Sequence, residues 1–497
     1  DLRSFPTRRS SDLVQPRGTP AAADIDGDGF VEIVTPKRGG GLIAFEHDGS
    51  FKWTSSSGGA PWNVALESAT VAIADLEGDG TPEIIVGGAV FEADGSLRFN
   101  NGVLAGSQGT YGAVSIAADL DGDGVLEIVT GRRAWRADGA LFWDNGLSDG
   151  YPAIANLDLD PNDVPELVVI SNGSVRVQDV LTGAAIATLV MPGSGSGGPP
   201  TIANFDADPE PEFASANGSA YSVFDFTMSP SPAISVKWSS PTQDLSSNRT
   251  GSSVFDFQGD GAAEVVYGDE CYFRVYAGED GAVIYQIEMS TATIHEYPVV
   301  VDVDGDNNTE VVVVGNDLNH LSGNVTCPYP ASNAKHGVFV FGDPNENWVR
   351  TRRLWNQHAY HIVNVASDGT IPAPEPPSWI VPPGFNNYRQ SNQGAGVFNA
   401  PDLQVTLGVS LIPCPANIEL RAAVLNAGSL GVPAGVPVDF YRGLPGSGTL
   451  IGSSTTTTAL LPGQFEIVTL LVPDDGSGDG HYYVIVDGAG ADRKSVV

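Results

Sequence analysis

The chain has 497 residues and carries 60 acidic against 24 basic side chains, a formal net charge of −36 at pH 7. So acidic a chain is a poor partner for nucleic acid, because binding to phosphates needs a basic face. It contains no long uninterrupted apolar run, so the sequence predicts no membrane span. Its length suggests two or three domains.

Both ends of the chain resemble translated sequencing-library adapter. Residues 7–13 read TRRSSDL and residues 492–497 read DRKSVV, and one short DNA encodes both when its two strands are translated. Adapter-derived residues of this kind carry no information about the fold. We therefore treat residues 1–13 and 492–497 as artefacts, and we expect a natural sequence that is cut at both ends and shows no signal peptide for that reason.

An acidic motif recurs along the first two thirds of the chain. Its first copy is ADIDGDGFVEIV, and the seven copies begin at Ala23, Ala74, Ala118, Ala155, Ala203, Phe255 and Val301. The copies advance by about 46 residues, which is a spacing typical of β-propeller blades. The chain is therefore expected to repeat one structural unit seven times.

A second motif follows the acidic one and predicts a hairpin. It places an Asp-Gly pair between alternating apolar runs, and the pairs are Asp48-Gly49, Asp94-Gly95, Asp138-Gly139 and Asp280-Gly281. Glycine accepts the positive φ that tight hairpin turns need. With a Gly- or Pro-led strand before the acidic motif, each repeat makes four strands, which is one blade. The sequence predicts an all-β chain with a seven-bladed β-propeller over residues 14–350, because seven blades in a ring bury faces that one blade exposes.

The acidic motif has the oxygen donors of a calcium loop. In the first copy, carboxylates occupy positions 1, 3 and 5 (Asp24, Asp26 and Asp28), Phe30 offers a backbone carbonyl at position 7, and Glu32 closes the shell at position 9, with room to use both oxygens. Calcium takes six to eight oxygen ligands, whereas an EF-hand places its glutamate at position 12 before a helix. Here a strand follows at once, so the sequence predicts a β-type calcium loop.

The other six copies give the same register. The predicted ligands are Asp75, Glu77, Asp79, Thr81 and Glu83 in the second; Asp119, Asp121, Asp123, Val125 and Glu127 in the third; Asn156, Asp158, Asp160 and Glu166 in the fourth, with Asp163 nearby; Asn204, Asp206, Asp208, Glu210 and Glu212 in the fifth; Asp256, Gln258, Asp260, Ala262 and Glu264 in the sixth; and Asp302, Asp304, Asp306, Asn308 and Glu310 in the seventh. We expect up to seven Ca²⁺. Affinities should be graded, because fewer carboxylates bind calcium less tightly and the fourth loop is two residues longer.

At this point the chain resembles the FG-GAP/VCBS repeat family, which includes the propeller of integrin α-chains. The shared motif is D-x-D-G-D-G-x-x-E followed by apolar residues, and the resemblance covers roughly residues 18–350. It implies a seven-bladed propeller, calcium in the loops named above, and an extracellular role in adhesion, ligand binding or scaffolding. Some members of the family accompany or form polysaccharide-acting enzymes.

The three cysteines and the segment after the propeller leave alternatives open. Cys271 and Cys327 fall in neighbouring repeats and either pair or stay free, and Cys414 is free or has lost a partner to truncation. Residues 351–400 are predicted as a closing segment and a stiff Pro-rich linker. His358 and His361 form H-x-x-H after several arginines, which indicates either a metal or ligand site or, as we favour, a closing strand packed on the propeller.

Residues 401–491 alternate apolar and polar positions between turn-rich gaps, and they resemble a CARDB-type, immunoglobulin-like β-sandwich that lacks its last strand. The chain has no nucleophile elbow, H-E-x-x-H motif, P-loop or Cys–His signature, so no catalytic residue is assigned. The leading hypothesis is a non-catalytic, calcium-stabilised module of a longer extracellular or cell-surface chain. It would be monomeric and would bind a protein or a glycan. The alternatives are a secreted polysaccharide lyase or hydrolase acting at a central funnel, and a structural spacer.

Overall fold

The structure is a computed structural model. It describes residues 13–109, 112–159, 164–206, 208–305, 308–316, 327–330, 333, 335–344, 348–380, 385–391, 403–427, 432–460, 464–473 and 481–486. The described residues form strands and turns without any α-helix, and among them no helix is long and apolar enough to cross a membrane. The prediction of an all-β chain is confirmed.

Four four-stranded antiparallel sheets come first, each with its strands side by side in chain order. Sheet 1 contains β1 (Ala21–Ala23), β2 (Glu32–Pro36), β3 (Leu42–Phe45) and β4 (Phe51–Thr54), and β5 (Ser56–Ser57) pairs separately with β6 (Ala60–Pro61). Sheet 2 contains β7 (Ala72–Ala74), β8 (Glu83–Val86), β9 (Ala89–Phe91) and β10 (Leu97–Asn100). Sheet 3 contains β11 (Ile116–Ala118), β12 (Glu127–Val129), β13 (Arg133–Trp135) and β14 (Leu141–Asp144). Sheet 4 contains β15 (Tyr151–Ala155), β16 (Glu166–Ser171), β17 (Ser174–Asp179) and β18 (Ala185–Val190).

Three further sheets continue the pattern. Sheet 5 contains β19 (Thr201–Ala203), β20 (Glu212–Ala216), β21 (Ala220–Thr227) and β22 (Ala233–Pro241). Sheet 6 contains β23 (Ser252–Phe255), β24 (Glu264–Gly268), β25 (Tyr272–Tyr276) and β26 (Val283–Glu288). Sheet 7 contains β27 (Val299–Val301), β28 (Glu310–Gly315) and β29 (Gly337–Phe341). These sheets resemble propeller blades in strand number, order and connection.

The second strands of sheets 2 to 6 are apolar on both faces because a neighbouring sheet covers each face. In sheet 4, every residue of β16 is buried. Buried apolar clusters join sheets 1 and 2, sheets 2 and 3, sheets 3 to 5, sheets 5 and 6, and sheets 6 and 7. Short, alanine-rich first strands such as β1 and β7 let the first strands of adjacent sheets approach closely.

The predicted hairpins pair with aromatic rings of the preceding sheet. The Trp53 indole of sheet 1 donates from Nε1 to the Ala93 carbonyl at 2.9 Å, over the hairpin of sheet 2. Gly95 has φ +80°, and a Cβ built there would lie 2.5 Å from the Trp53 ring. The same ring-on-glycine contact joins Phe99 to Gly139, Trp143 to Gly183 and Trp238 to Gly281. Glycine is therefore required at these positions for two reasons: the turn needs a positive φ, and the aromatic ring leaves no space for a Cβ.

Replacing Gly95 with alanine tests this contact. We expect Gly95→Ala to lower the free energy of unfolding by more than the roughly 1 kcal/mol of the left-handed φ alone, because the Trp53 ring must also move. Gly49→Ala is the matched control, since Gly49 has the same φ of +80° and no atom within 4 Å of its Cβ position. Chemical denaturation of both variants measures the difference, and equal losses would contradict the ring contact.

Residues 349–391 lie across the first strands of six sheets. Each contact joins a backbone N–H of a first strand, or of the residue directly after it, to an oxygen of this segment at 2.7–3.2 Å: Ala22 to Asn356, Ile73 to Gln357, Asn156 to Asn386, Ile202 to Tyr388, Val254 to Arg389, and Asp302 to Arg352. We name residues 349–391 the axial segment. The structure differs here from the expected stiff linker, because residues 385–391 pair with sheets 4 to 6 rather than leading away from them.

Two further features follow the predicted repeats. A disulfide joins Cys271, directly before β25, to Cys327 in the segment between β28 and β29, and it ties sheet 6 to sheet 7. The open question of that pairing is thereby answered, while Cys414 is exposed with a free thiol. Beyond the axial segment, β30 (Leu403–Ser410), β31 (Asn417–Asn426) and β34 (Phe465–Pro473) form one sheet, and β32 (Pro437–Arg442), β33 (Thr449–Thr455) and β35 (Tyr482–Val486) form another. Both sheets contribute to one buried apolar cluster.

Candidate metal centres

The acidic loops connect the first and second strands of the seven sheets in one register. The residue before position 1 pairs with the glutamate at position 9 in every sheet, from Ala23 with Glu32 to Val301 with Glu310. The glutamate Oε2 then accepts the backbone N–H of position 2 at 2.7–3.1 Å, in the pairs Glu32–Ile25, Glu83–Leu76, Glu127–Leu120, Glu166–Leu157, Glu212–Phe205, Glu264–Phe257 and Glu310–Val303. Each Oε2 keeps a second lone pair beside this hydrogen bond, so ligation through one or both glutamate oxygens stays a prediction.

The aspartates at positions 1 and 5 shape the loop from within. Asp24 accepts the backbone N–H of Gly27 at 2.7 Å and that of Gly29 at 2.9 Å, and Asp28 accepts the N–H of Phe30 at 2.9 Å. Gly27 and Gly29 have φ of +75° and +88°, which an L residue rarely adopts. The third and sixth loops repeat these bonds from Asp119, Asp123, Asp256 and Asp260. The donors are therefore held in place before any ion binds.

The first loop passes a test of fit for a hard cation. The Glu32 side chain is fully buried, and its Oε1 has no hydrogen-bond partner. One oxygen each from Asp24, Asp26 and Glu32 lies within 4.8 Å of the others. A buried carboxylate oxygen without a hydrogen bond costs free energy, which the Lys52 ammonium 3.7 Å away offsets only in part. All-oxygen donors of this kind suit Ca²⁺.

Similar groups of three carboxylates occur in three other loops. They are Asp119, Asp121 and Glu127; Asp206, Asp208 and Glu212; and Asp302, Asp304 and Glu310. Within the described residues, no such group is found in the second, fourth and sixth loops. Three predicted residues, Asp160, Asp163 and Asp306, lie outside the described residues, and the carbonyl ligands at position 7 stay predictions.

A basic side chain enters four of the loops, which the sequence reasoning missed. Lys52 Nζ lies 2.6 Å from Asp26 and 3.7 Å from Glu32, and Arg98 contacts Glu77 at 2.5 Å and Glu83 at 2.6 Å. Arg136 does the same in the third loop with Asp121 and Glu127, and Lys237 in the fifth with Asp206 and Glu212. Lys52 and Arg98 stand at one position of the second motif, FKW and LRF, which is the signal that was available. These cations offset part of the loop charge, most fully in the second loop.

Burial raises the pKa of glutamates at position 9. It raises the pKa of Glu127 to about 7 and that of Glu264 to about 8, although each accepts a backbone N–H that acts in the opposite direction. A raised pKa means that the neutral acid is favoured when no cation is near. A bound cation reverses the preference and expels the proton.

We therefore expect calcium binding to release protons at pH 7, and calcium affinity to rise from about pH 6 to about pH 8 as these glutamates ionise. Calorimetric titration at pH 7 in two buffers of different ionisation enthalpy measures the number of protons released. The same titration at about pH 9 is the control, because the glutamates are then already ionised. Identical heats in both buffers at pH 7 would contradict the expectation.

The H-x-x-H pair does not form a metal site. His361 Nε2 pairs with the Glu375 carboxylate, whereas the His358 Nδ1 lies 2.8 Å from the Arg389 guanidinium. His295 and His358 are buried, and burial together with Arg389 lowers the pKa of His295 to about 3 and that of His358 well below its usual value. These side chains hold the axial segment inside the fold, which agrees with the packing that we favoured. The predicted closing strand is wrong, because the described residues of this segment form turns and isolated bridges.

The first two repeats are similar to a known repeat family. Residues 24–86, which span the first loop, β2 to β7, the second loop and β8, match the family described as FG-GAP-like repeat. The chain contains an FG-GAP-like repeat. No curated protein matches the chain.

Among solved structures, the chain is similar to the Vibrio cholerae biofilm matrix protein Bap1, with a TM-score of 0.60 and 21% identity over 75% of this chain and 84% of that one. This likeness concerns the fold. The rhamnogalacturonan lyase YesX matches with a TM-score of 0.24 at 15% identity, over 89% of this chain and 56% of that one. The C-terminal WD40 domain of Sif2 matches with a TM-score of 0.32 at 13% identity, over 56% and 74%. Nothing about this chain follows from the last two scores.

Proposed function

We propose that the chain is a calcium-stabilised, non-catalytic scaffold of the extracellular space or cell surface, built on a β-propeller of repeated blades. The observation that carries the proposal is the common register of seven acidic loops, four of which bring a glutamate oxygen within 4.8 Å of two further carboxylate oxygens. Calcium at these loops would join the first and second strands of each sheet. The ions would act on the shape of the molecule and not on a substrate.

The axial segment supports a scaffold more than an enzyme. Within the described residues, its hydrogen bonds tie the first strands of six sheets to one segment of chain, which suits a rigid structural module. The structure does bring His295, His358, Tyr297 and Arg389 together, a combination of acid–base and cationic groups that would suit an enzyme. His295, His358 and Arg389 are buried and Tyr297 is half-buried, while His295, Tyr297 and His358 line a cavity of about 1100 Å³. The polysaccharide lyase or hydrolase is retained as the alternative to be tested.

Three observations support an extracellular setting. The Cys271–Cys327 disulfide is typical of oxidising compartments. Calcium is abundant outside cells, where weak sites fill. The Bap1 fold belongs to a biofilm matrix protein. On this basis we propose a protein or glycan as ligand, with no role for nucleic acid, and a monomeric module of a longer chain. Residues 401–491 would form an immunoglobulin-like sandwich of the CARDB type beside the propeller.

Polysaccharide assays separate the two functions. The calcium-loaded full chain should co-sediment with a subset of an insoluble polysaccharide and matrix-protein panel, and it should leave the polymers uncut. New reducing ends and the ultraviolet absorbance of unsaturated products report hydrolase and lyase activity. Depolymerisation that survives repeated purification would overturn the scaffold and favour the enzyme, whereas uncut polymers without any binding would favour the spacer.

A further inference from the structure

The side of sheet 1 that faces away from sheet 2 is uncovered. The residue after the glutamate at position 9 faces the preceding sheet, and in sheets 2 to 7 it is at most 1% exposed: Ile84, Ile128, Leu167, Phe213, Val265 and Val311. Ile33 holds this position in sheet 1 and is 43% exposed. This position is apolar and buried in six sheets and exposed only in sheet 1. The exposure marks a junction that lacks its covering sheet.

Sheet 7 has an uncovered apolar face on its outer side. Val314 and its cross-strand partner Val338 are 57% and 68% exposed, and Val340 of the same face is 51% exposed. The opposite face of the sheet packs on sheet 6, where the Phe341 ring stacks on Phe273. The valines therefore point in the direction where a following sheet would stand.

The hairpin glycine of sheet 1 also lacks its ring. Gly95, Gly139, Gly183 and Gly281 each meet an aromatic side chain of the preceding sheet, whereas Gly49 meets no atom within 4 Å of its Cβ position. Its φ of +80° is the same as that of Gly95. The turn is thus formed for a contact that no described residue supplies.

A cavity of about 1100 Å³ lies between the two uncovered faces. Thr19 and Ile33 line it on the side of sheet 1, and Val299 and Val314 line it on the side of sheet 7. No buried apolar cluster of the described residues joins sheets 7 and 1, although clusters join every other consecutive pair. The junction differs from the closed seven-bladed ring that the sequence predicts.

We propose that the junction between sheets 7 and 1 accepts one further four-stranded antiparallel sheet of the same repeat type. Such a sheet is what covers the position of Ile33 in the six other junctions, and its last strand supplies the ring for the hairpin glycine. It would bury Ile33 on one side and the valines of sheet 7 on the other. The complete ring then contains eight sheets, an inference that does not depend on calcium or on the proposed function.

A peptide of one repeat tests the proposal on the full chain. The probe is a synthetic peptide of residues 112–150, which carries the third repeat and the ring of Trp143. We expect saturable binding by calorimetry and a higher melting temperature of the full chain. Ile33→Asp and Val314→Asp should each weaken binding at least tenfold while leaving the melting temperature of the peptide-free chain unchanged, because both side chains are already exposed. Val190→Asp, on the outer strand of sheet 4 at 75% exposure, is the matched control and should bind normally.

Three results would overturn the proposal. The first is a peptide that does not bind the wild-type chain. The second is peptide binding that Ile33→Asp and Val314→Asp affect no more than Val190→Asp does. The third is a dimer of the peptide-free chain, measured by ultracentrifugation, that Ile33→Asp dissociates, since the face would then belong to a second copy. A Trp143→Ala peptide should bind more weakly than the parent, because Gly49 would remain uncovered.

Discussion

Chelation of calcium is expected to lower the melting temperature of the chain by many degrees. At about tenfold excess of ion over Kd each site contributes roughly 1.4 kcal/mol, and several sites act together. The effect should be uneven along the chain, because Arg98 contacts both Glu77 and Glu83 of the second loop, whereas Glu32 Oε1 of the first loop has no hydrogen-bond partner and lies 3.7 Å from Lys52 Nζ. Differential scanning calorimetry with and without chelator measures the shift, and superimposable curves would contradict calcium binding.

Single-loop variants assign that effect to residues. Asp26→Ala combined with Asp28→Ala should remove one equivalent of bound calcium by elemental analysis and part of the chelator-sensitive stability. Asp48→Ala is the control, because Asp48 sits in the hairpin of the same sheet, where it accepts only the Ser50 N–H at 2.8 Å. Equal calcium content in both variants would refute the assignment of ligands to the first loop.

Replacing His361 with leucine is expected to destabilise the chain by about 3–5 kcal/mol near pH 6, because it leaves the Glu375 carboxylate buried without its partner. Burial opposes the charged imidazole, but the Glu375 carboxylate more than offsets it, so the pKa of His361 is raised. A raised histidine pKa gives stability that is fully present at low pH and is lost as the pH rises through the folded value. Urea denaturation of the wild type from about pH 6 upward should show the free energy of unfolding fall as His361 loses its proton.

Variants of Glu375 separate the electrostatic contribution of the His361–Glu375 pair to stability from its packing contribution. Glu375→Leu should cost less than His361→Leu, because a histidine left alone can lose its proton whereas a carboxylate must take one up. The double variant should recover part of the loss. Equal costs for the two single variants at every pH would show that the pair acts through packing alone.

The sequence predicts the repeating unit well because the unit is local. The acidic loop, its glutamate and the strand that follows lie within about a dozen residues, so oxygen spacing and strand alternation suffice to infer them. The pairing of Ala23 with Glu32 and that of Val301 with Glu310 share one register. The Asp-Gly turns were predicted by the same local chemistry.

Contacts between distant residues were beyond this reasoning. Ile73 meets Gln357 across 284 positions, and nothing in a Pro-rich stretch indicates that it returns to sheets 4 to 6. The uncovered face of sheet 1 is equally hidden, because EIV of β2 and EII of β8 look alike while Ile33 is exposed and Ile84 is buried. Periodicity shows that a face is apolar, whereas only the assembled sheets show what covers it.

The route of the axial segment has a mechanical consequence. Tension applied at the C-terminal sheets enters the repeats through residues 349–391, whose hydrogen bonds are distributed over six sheets rather than placed at one hinge. Extracting the segment means breaking bonds such as that of Val254 with Arg389 and that of Asp302 with Arg352, together with the buried packing around Arg389. The applied force is thereby distributed over hydrogen bonds to six sheets, so no single sheet bears all of it.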